Sequence, residues 1–327
     1  MTDLYLTEGK IHLFYHVDAD GYCSAAVFLL WFWRNNIERE ILLYPINYND
    51  PFPWDKIAPT DTVIMVDFSL QPAADMDRLV SLLKEEGSFI WIDHHTTALN
   101  MEFDFETHTV LGNRRVGDAG CELSWEFCFQ NEFQDEEAPT AVNLVGRYDV
   151  WDHDSQYDWE TEILPFHELL SFTGMNPKVP GNKEKWLDFL RMEDGYLQPF
   201  LEKGRLIQEI NSKRDRKYCT WNSHSGFLFS KEGSLRVIAI NGGISNSVPM
   251  EPLVDPEKHD AIMVYTRQKS GEFKVSLYVP NSLDTDVSAI AKSFGGGGHQ
   301  KAAGFHISYE DFGKVFTMKP PESGECK

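Results

Sequence analysis

Four short apolar runs lie within the first 95 residues: Ile11–His16, Ile41–Tyr48, Thr62–Phe68 and Ser88–Asp93. Between them stand stretches with helical spacing, Tyr22–Arg34 and Ala73–Glu86, the second with acids early and Lys84 late, as the helix dipole favours. Strands alternating with helices at this interval specify βαβ units and a mainly parallel sheet. Thr62–Phe68 is continuous enough in apolar character to be buried on both faces.

The remainder of the chain reads differently. Asp118–Arg147 is helical, with a helix start at Asp135-Glu136-Glu137 ahead of Pro139. Thr173–Lys185 is a Pro/Gly-rich loop, and Glu184–Arg216 is long helical material suited to an interdomain connector. The strands Gly226–Ser230, Leu235–Asn241, Asp260–Arg267 and Phe273–Val279 follow, the last two as a hairpin across Lys269–Glu272. Asp286–Phe294 is a short helix with an Asp cap, and it leads into the run Gly295–His299 (GGGGH). A length of 327 residues suits one large or two ordinary domains.

Charge separates the same two regions. The chain has 30 basic and 51 acidic residues, net −21, and residues 1–204 hold 14 and 37 of them against 16 and 14 for residues 205–327. That acidity excludes a protein gripping long nucleic acid by phosphate neutralisation, or one docking on an anionic membrane. A content of 42% hydrophobic residues excludes a disordered chain. The five cysteines, Cys23, Cys121, Cys128, Cys219 and Cys326, are scattered without a C-x-x-C pair, so idle thiols of a reducing cytosol are expected rather than a disulfide framework or zinc ribbon. The first ten residues lack the apolar core of a signal peptide, and the longest apolar run, Ala25–Trp33, is too short to span a bilayer; the expected location is cytoplasmic.

Candidate chemistry gathers at the strand ends. His16-Val-Asp18-Ala-Asp20-Gly21 follows the first strand; if the chain stays extended, His16, Asp18 and Asp20 share one face. Asp67 ends the third strand, and Asp93-His94-His95 ends the fourth. Asp149, in Arg147-Tyr148-Asp149-Val150-Trp151, closes a helical run, while Asp152, His153 and Asp154 read as a solvated turn. Taken singly, a D-x-D is more often a solvated loop and a lone Asp a helix cap. Their shared position decides otherwise: ligands of open α/β sheets bind beyond the carboxyl ends of strands. Six or seven such groups in one crevice repel one another unless cations neutralise them, and an oxygen-rich set with imidazoles and no thiolate suits Mn²⁺, with Mg²⁺ as the alternative.

The motifs HVDADG, MVDFS, DHH at Asp93–His95 and FGGGGHQKAAGF at Phe294–Phe305 resemble, in order and spacing, those of the DHH/DHHA1 phosphoesterase family over roughly Ile11 to Ile307. The H-x-D-x-D-G form and the Y-D-x-W segment resemble its short-oligonucleotide (nano-RNase) and cyclic-nucleotide phosphodiesterase branch. The resemblance implies an α/β catalytic domain over residues 1–195, a helical linker over 196–218 and a smaller DHHA1 substrate-binding domain over 219–327, with the active site in the cleft between them. It implies two metal ions, one on His16 and Asp18, the other on Asp20, His94 and Asp149, with Asp67 bridging. Asp93 would orient a histidine and His95 would face the substrate phosphate as stabiliser or proton donor. Gly295, Gly296, Gly297, Gly298 and His299 would bind the terminal phosphate or base. Where many relatives carry a phosphate-gripping Arg, this chain has Tyr278; Arg267, Lys301, Arg114 or Arg115 would replace it, or Tyr278 would stack on a base.

The implied function is a cytoplasmic two-metal phosphodiesterase, a hydrolase and nuclease of oligoribonuclease type. It would release nucleoside 5′-monophosphates from short oligonucleotides or cyclic (di)nucleotides. No long duplex or membrane partner is implied, and the chain would act as a monomer or homodimer. The alternatives are a phosphatase of 3′,5′-bisphosphate nucleotides and a non-catalytic nucleotide sensor or acidic decoy.

Overall fold

The computed structural model describes residues 6–48, 50–84, 86–131, 134–191, 194–244 and 247–318, so Cys326 lies outside the described residues. The chain divides into two compact units, Met1–Gln208 and Glu209–Lys327.

The first unit is built on four parallel strands, β1 (Ile11–His16), β2 (Ile41–Ile46), β3 (Thr62–Val66) and β4 (Ser88–Ile92), in the order β2-β1-β3-β4. Side chains alternate between two cores, as the strand period requires. Leu13, Tyr15, Ile64, Val66, Ile90 and Ile92 enter one; Phe14, Val63, Met65, Phe89 and Trp91 enter the other. The first core is covered by α1 (Ala19–Arg34) and the second by α2 (Ala73–Leu83), with a short turn of helix, α3 (Thr96–Leu99), after β4. Burying each large side chain contributes about 1.5–3 kcal/mol, so strands with both faces covered are the stable arrangement of this sequence.

Helix α1 begins three residues earlier than the spacing suggests. The Asp18 carboxylate accepts the Gly21 N–H at 2.9 Å and caps the helix, so Asp20 lies in its first turn rather than on an extended strand. The expected extended H-x-D-x-D face is therefore corrected: His16 ends a strand, Asp18 is a cap and Asp20 is helical. Gly21 is needed because a Cβ there would sit 2.3 Å from the His16 carbonyl oxygen.

The helical stretch 118–147 resolves into α4 (Gly120–Phe129) and α5 (Thr140–Asp149), separated by a small hairpin of β5 (Gln130–Asn131) and β6 (Gln134–Asp135). Pro139 stands just before α5, where its missing N–H costs nothing. Helices α6 (Leu164–Thr173) and α7 (Asn182–Arg191) complete the layer over α1, and α8 (Gln198–Asn222) carries Pro199 in its first turn, so residues 184–216 do not form one continuous helix.

In the second unit β7 (His224–Ser230), β8 (Gly233–Asn241), β9 (Ala261–Arg267), β10 (Phe273–Tyr278), β11 (Gly297–His299), β12 (Ala302–Ile307) and β13 (Phe316–Thr317) form one sheet in the order β11-β12-β10-β9-β8-β7-β13. Among the described residues of this sheet only β8 and β9 pair in parallel; the expected β9–β10 hairpin is present. Helices α9 (Ser288–Ser293) and α10 (Tyr309–Val315) join its core. Cys23, Cys121, Cys128 and Cys219 are free and buried. No helix among the described residues is long and apolar enough to cross a membrane.

Candidate metal centre

The order β2-β1-β3-β4 reverses direction at β1: the chain leaves β1 for one side and returns on the other as β3. The carboxyl ends of β1 and β3 thus border the crevice where open α/β sheets take their ligands. His16 closes β1, Asp67 follows β3, and Asp93-His94-His95 follow β4. Asp149, last residue of α5, is carried to the same place by the packing of α5 against α1 and α4.

Three groups of ligand atoms converge there: His16, Asp18 and Asp67; Asp20, His94 and Asp149; and Asp67, His94 and His95. Asp67 is the hub. His94 Nε2 lies 3.2 Å from Asp67, 3.4 Å from Asp149 and 3.7 Å from Asp20. His16 Nδ1 lies 2.5 Å from Asp18 and 3.8 Å from Asp67. Asp67 is 1% exposed and sits at φ 52°, a left-handed conformation that Asp tolerates better than most residues.

The electrostatics are those of crowded, desolvated carboxylates. Burial, reinforced by Asp20, Asp18, Asp149 and Asp93, holds the Asp67 carboxyl well above the usual range. Burial likewise raises Asp20, against the opposing pull of His94, and pushes Asp149 up to about 8 with the help of Asp20 and Asp18. Asp18 moves the other way: burial would raise it, but the charge of the adjacent His16 and the bond from the Gly21 amide together prevail. His16 Nδ1, both Asp67 oxygens and His94 Nε2 are buried without any hydrogen-bond partner. Orphaned buried polar atoms are rare, and four of them, two carboxylate oxygens and two imidazole nitrogens, converging on one point have the chemistry of a divalent transition-metal site. The residues fit one.

Asp93 has another position. It is fully buried, and its Oδ1 accepts the His94 and His95 amides at 2.8 and 3.0 Å and contacts His95 Nδ1 at 2.9 Å. That bond raises the His95 imidazole above its ordinary value despite partial burial.

Supporting groups absent from the sequence reading complete the site. The Gly120 and Cys121 amides, at the start of α4, each donate to Asp20 at 2.7 Å. Gly120 has to be glycine, since a Cβ would lie 2.8 Å from Asp67 Cβ and 2.9 Å from Asp20 Oδ2. Tyr48 packs its ring 5.6 Å from His16 and 6.3 Å from His95. Arg147 binds Glu122 and, at 3.0 Å, Asp152. Asp152 is therefore paired, and His153 stacks on Trp159, so the two do not belong to a merely solvated turn. Nothing in local sequence marks Gly120 or Tyr48, because both act through contacts made only in the fold.

Three of the four basic residues considered for phosphate are bonded within the protein. Arg114 donates to the carbonyls of Trp91, Leu111, Thr107 and Val110; Arg115 pairs with Asp118 and Glu126. Lys301 donates to the Leu283 carbonyl. Arg267 ends β9 with its guanidinium 5.2 Å from the Tyr309 ring centre, and Tyr278 is half-buried against the core behind β9. In the glycine run, the Gly295 and Gly296 amides are used within the fold, bonding Lys292 and Ala291 at 3.0 and 2.9 Å, while Gly297, Gly298 and His299 form β11. A cavity beside it is lined by Lys274, Gly295, Gly296 and His306.

Residues 10–145 match the family described as DHH family, N-terminal domain. No curated protein matches the chain. Among solved structures, the DHH domain of a member of the s1p family of ribosomal proteins is 14% identical with a TM-score of 0.56, over 94% of this chain and 84% of that one. RecJ in complex with Mn²⁺ from Thermus thermophilus is 16% identical with a TM-score of 0.52, over 93% of this chain and 50% of that one. A pGpG-specific phosphodiesterase, PggH from Vibrio cholerae, is 12% identical with a TM-score of 0.47, over 94% and 96%. At these identities the first two likenesses establish the fold alone, and the third is too distant in shape to add to it. Strand order and motif positions are consistent with the match of residues 10–145 to the DHH-family N-terminal domain.

Proposed function

We propose that the cluster binds two divalent cations, Mn²⁺ foremost, and that the chain hydrolyses phosphodiester bonds of short oligonucleotides or small cyclic (di)nucleotides to nucleoside 5′-monophosphates. The observation that carries this reading is the convergence of three ligand groups on Asp67, with four orphaned buried atoms among them. His16 and Asp18 would hold one ion, Asp20, His94 and Asp149 the other, and Asp67 both. Such ions supply Lewis acidity toward a phosphoryl oxygen and make water nucleophilic near neutral pH.

The chain's own residues supply the rest. Asp93 fixes His95 through Nδ1 and favours the imidazolium, so Nε2 is the atom left to donate toward a phosphate oxygen or a departing alkoxide. The Gly120 and Cys121 amides, at the positive end of α4, fix the Asp20 carboxyl in place and partly oppose the effect of its burial. In the second unit, Arg267 and the Gly297–His299 strand are the candidates for substrate contact. The net charge of −21 supports a short substrate, because a polyanion is repelled from most of the surface.

The test is product analysis with Mn²⁺ on RNA and DNA of two to ten nucleotides, cyclic dinucleotides and a 3′,5′-bisphosphate nucleotide. Release of 5′-monophosphates from the shortest oligomers or cyclic dinucleotides is expected. Turnover of the bisphosphate alone would transfer the site to a phosphatase, and no turnover of any of them would remove the reading.

A further inference from the structure

An aromatic assembly stands beside Asp149 and has no part in the hydrolysis described above. Tyr148 stacks on His167, ring centres 3.4 Å apart and 12° from parallel, and on Trp159 at 5.6 Å and 12°; Trp159 in turn stacks on His153 at 3.8 Å. Trp151 stands edge-on to this stack, 5.8 Å from Tyr148, 4.8 Å from Trp159 and 5.4 Å from His153. It is 61% exposed, which leaves most of the indole open to solvent.

A single exposed tryptophan is ordinary by itself. Its backbone is not. Trp151 sits at φ 57°, a left-handed conformation that is a genuine outlier for so bulky a side chain. The end of α5 sets it: the Trp151 amide bonds the Tyr148 carbonyl at 3.1 Å and the Asp152 amide bonds the Arg147 carbonyl at 2.9 Å, the paired bonds that close a helix through a left-handed residue. Arg147 then clamps Asp152, while Glu122 anchors Arg147. Glycine usually fills such a closing position, whereas here the chain keeps a bulky, exposed indole in it. Two residues of chain span at most ~7 Å, so this ring is tethered to Asp149, whose carboxylate lies 3.4 Å from His94. Arg114, Arg115 and Arg147 are already bonded within the protein.

We propose that Trp151 is the platform on which a nucleobase of the substrate stacks, so that the site selects nucleotide phosphodiesters over base-free phosphate esters. The proposal rests on the phosphodiesterase reading for the bond that is cleaved. Stacking uses the face that every base possesses, so the selection is for a base and not for a particular one.

The experiment compares wild type, Trp151→Ala and Trp151→Phe with Mn²⁺ on pApA and on the same dinucleotide with both bases replaced by hydrogen. Circular dichroism and Mn²⁺ stoichiometry control for folding. Loss of one stacked base corresponds to about a 5- to 140-fold rise in KM for pApA in W151A. W151F is expected to restore most of it, and the preference for pApA over the base-free analogue should collapse in W151A alone. Parallel rises in KM for both substrates, or a change confined to kcat, would overturn the platform. Should the wild type cleave neither, the hydrolytic reading fails, and calorimetric binding of the same two compounds still decides. Tighter binding of pApA that W151A abolishes keeps the platform; equal binding by both proteins removes it.

Discussion

Replacing Asp67 by Asn should stabilise the protein when metal is removed and destabilise it, relative to wild type, when metal is present. Asn is the replacement to use, because φ 52° at this position disfavours Ala and most other residues. The carboxylate is 1% exposed, neither oxygen has a hydrogen-bond partner, and four other aspartates raise its pKa. The Asn amide adds an N–H donor toward the surrounding carboxylates, and satisfying one buried group in this way recovers about 1–3 kcal/mol. In a unit the size of Met1–Gln208, each kcal/mol moves Tm by about 2–4 °C. D67N is therefore expected to melt roughly 2–12 °C above wild type in EDTA. With Mn²⁺ at a hundred times its Kd, wild type gains about 2.7 kcal/mol, or roughly 5–11 °C, whereas the variant, lacking the shared ligand, gains far less. Differential scanning calorimetry of both proteins in EDTA and in Mn²⁺ reads all four values. A variant that melts below wild type in EDTA would mean that the cluster satisfies itself by hydrogen bonding, and the argument for cations would collapse.

Three further outcomes are expected. In EDTA the folded protein keeps extra protons on Asp67, Asp20 and Asp149, whose folded pKa values lie above their unfolded ones, so stability should fall as pH rises from about 4 to about 8. Mn²⁺ should flatten that slope, and a Tm that climbs over this range without metal contradicts the shifts. Gly120→Ala forces a methyl group against Asp67 and Asp20; overpacking of this kind costs about 1–3 kcal/mol and should weaken Mn²⁺ binding roughly tenfold or more by calorimetric titration, with unchanged affinity counting against the geometry. His95→Gln should lower kcat by about 10²–10⁴ while two Mn²⁺ remain bound per chain. If one ion is lost instead, His95 is a ligand, as its place beside Asp67 and His94 also permits.

Much of the site is visible in the order of residues. Asp67, Asp93, His94 and His95 announce themselves because each interrupts or ends an apolar strand, where a polar group needs a partner. His16, Asp18 and Asp20 are visible as a group, yet their geometry is not, since Asp18 caps α1 and winds Asp20 into the first helical turn. The two-faced alternation of Phe14 against Leu13 and Tyr15 is likewise written in the strand period. The commitments of the basic residues are not legible: Arg114 looks free in sequence, and only the fold shows four carbonyls around it.

Local periodicity determines which face of an element is apolar and where a strand stops, because those follow from the chain's own repeat. It does not determine which elements become neighbours. The strand order β2-β1-β3-β4 sets His16 beside Asp67, and helix packing brings in Asp149 and the amides of Gly120 and Cys121 from distant sequence. The ring of Trp151 joins an aromatic stack in the same way, through contacts with Trp159 and Tyr148. These are choices of pairing and packing, made by the burial of whole surfaces against one another. Residue order alone specifies a parallel α/β scaffold with acids at its strand ends; packing in three dimensions makes those acids share a single point.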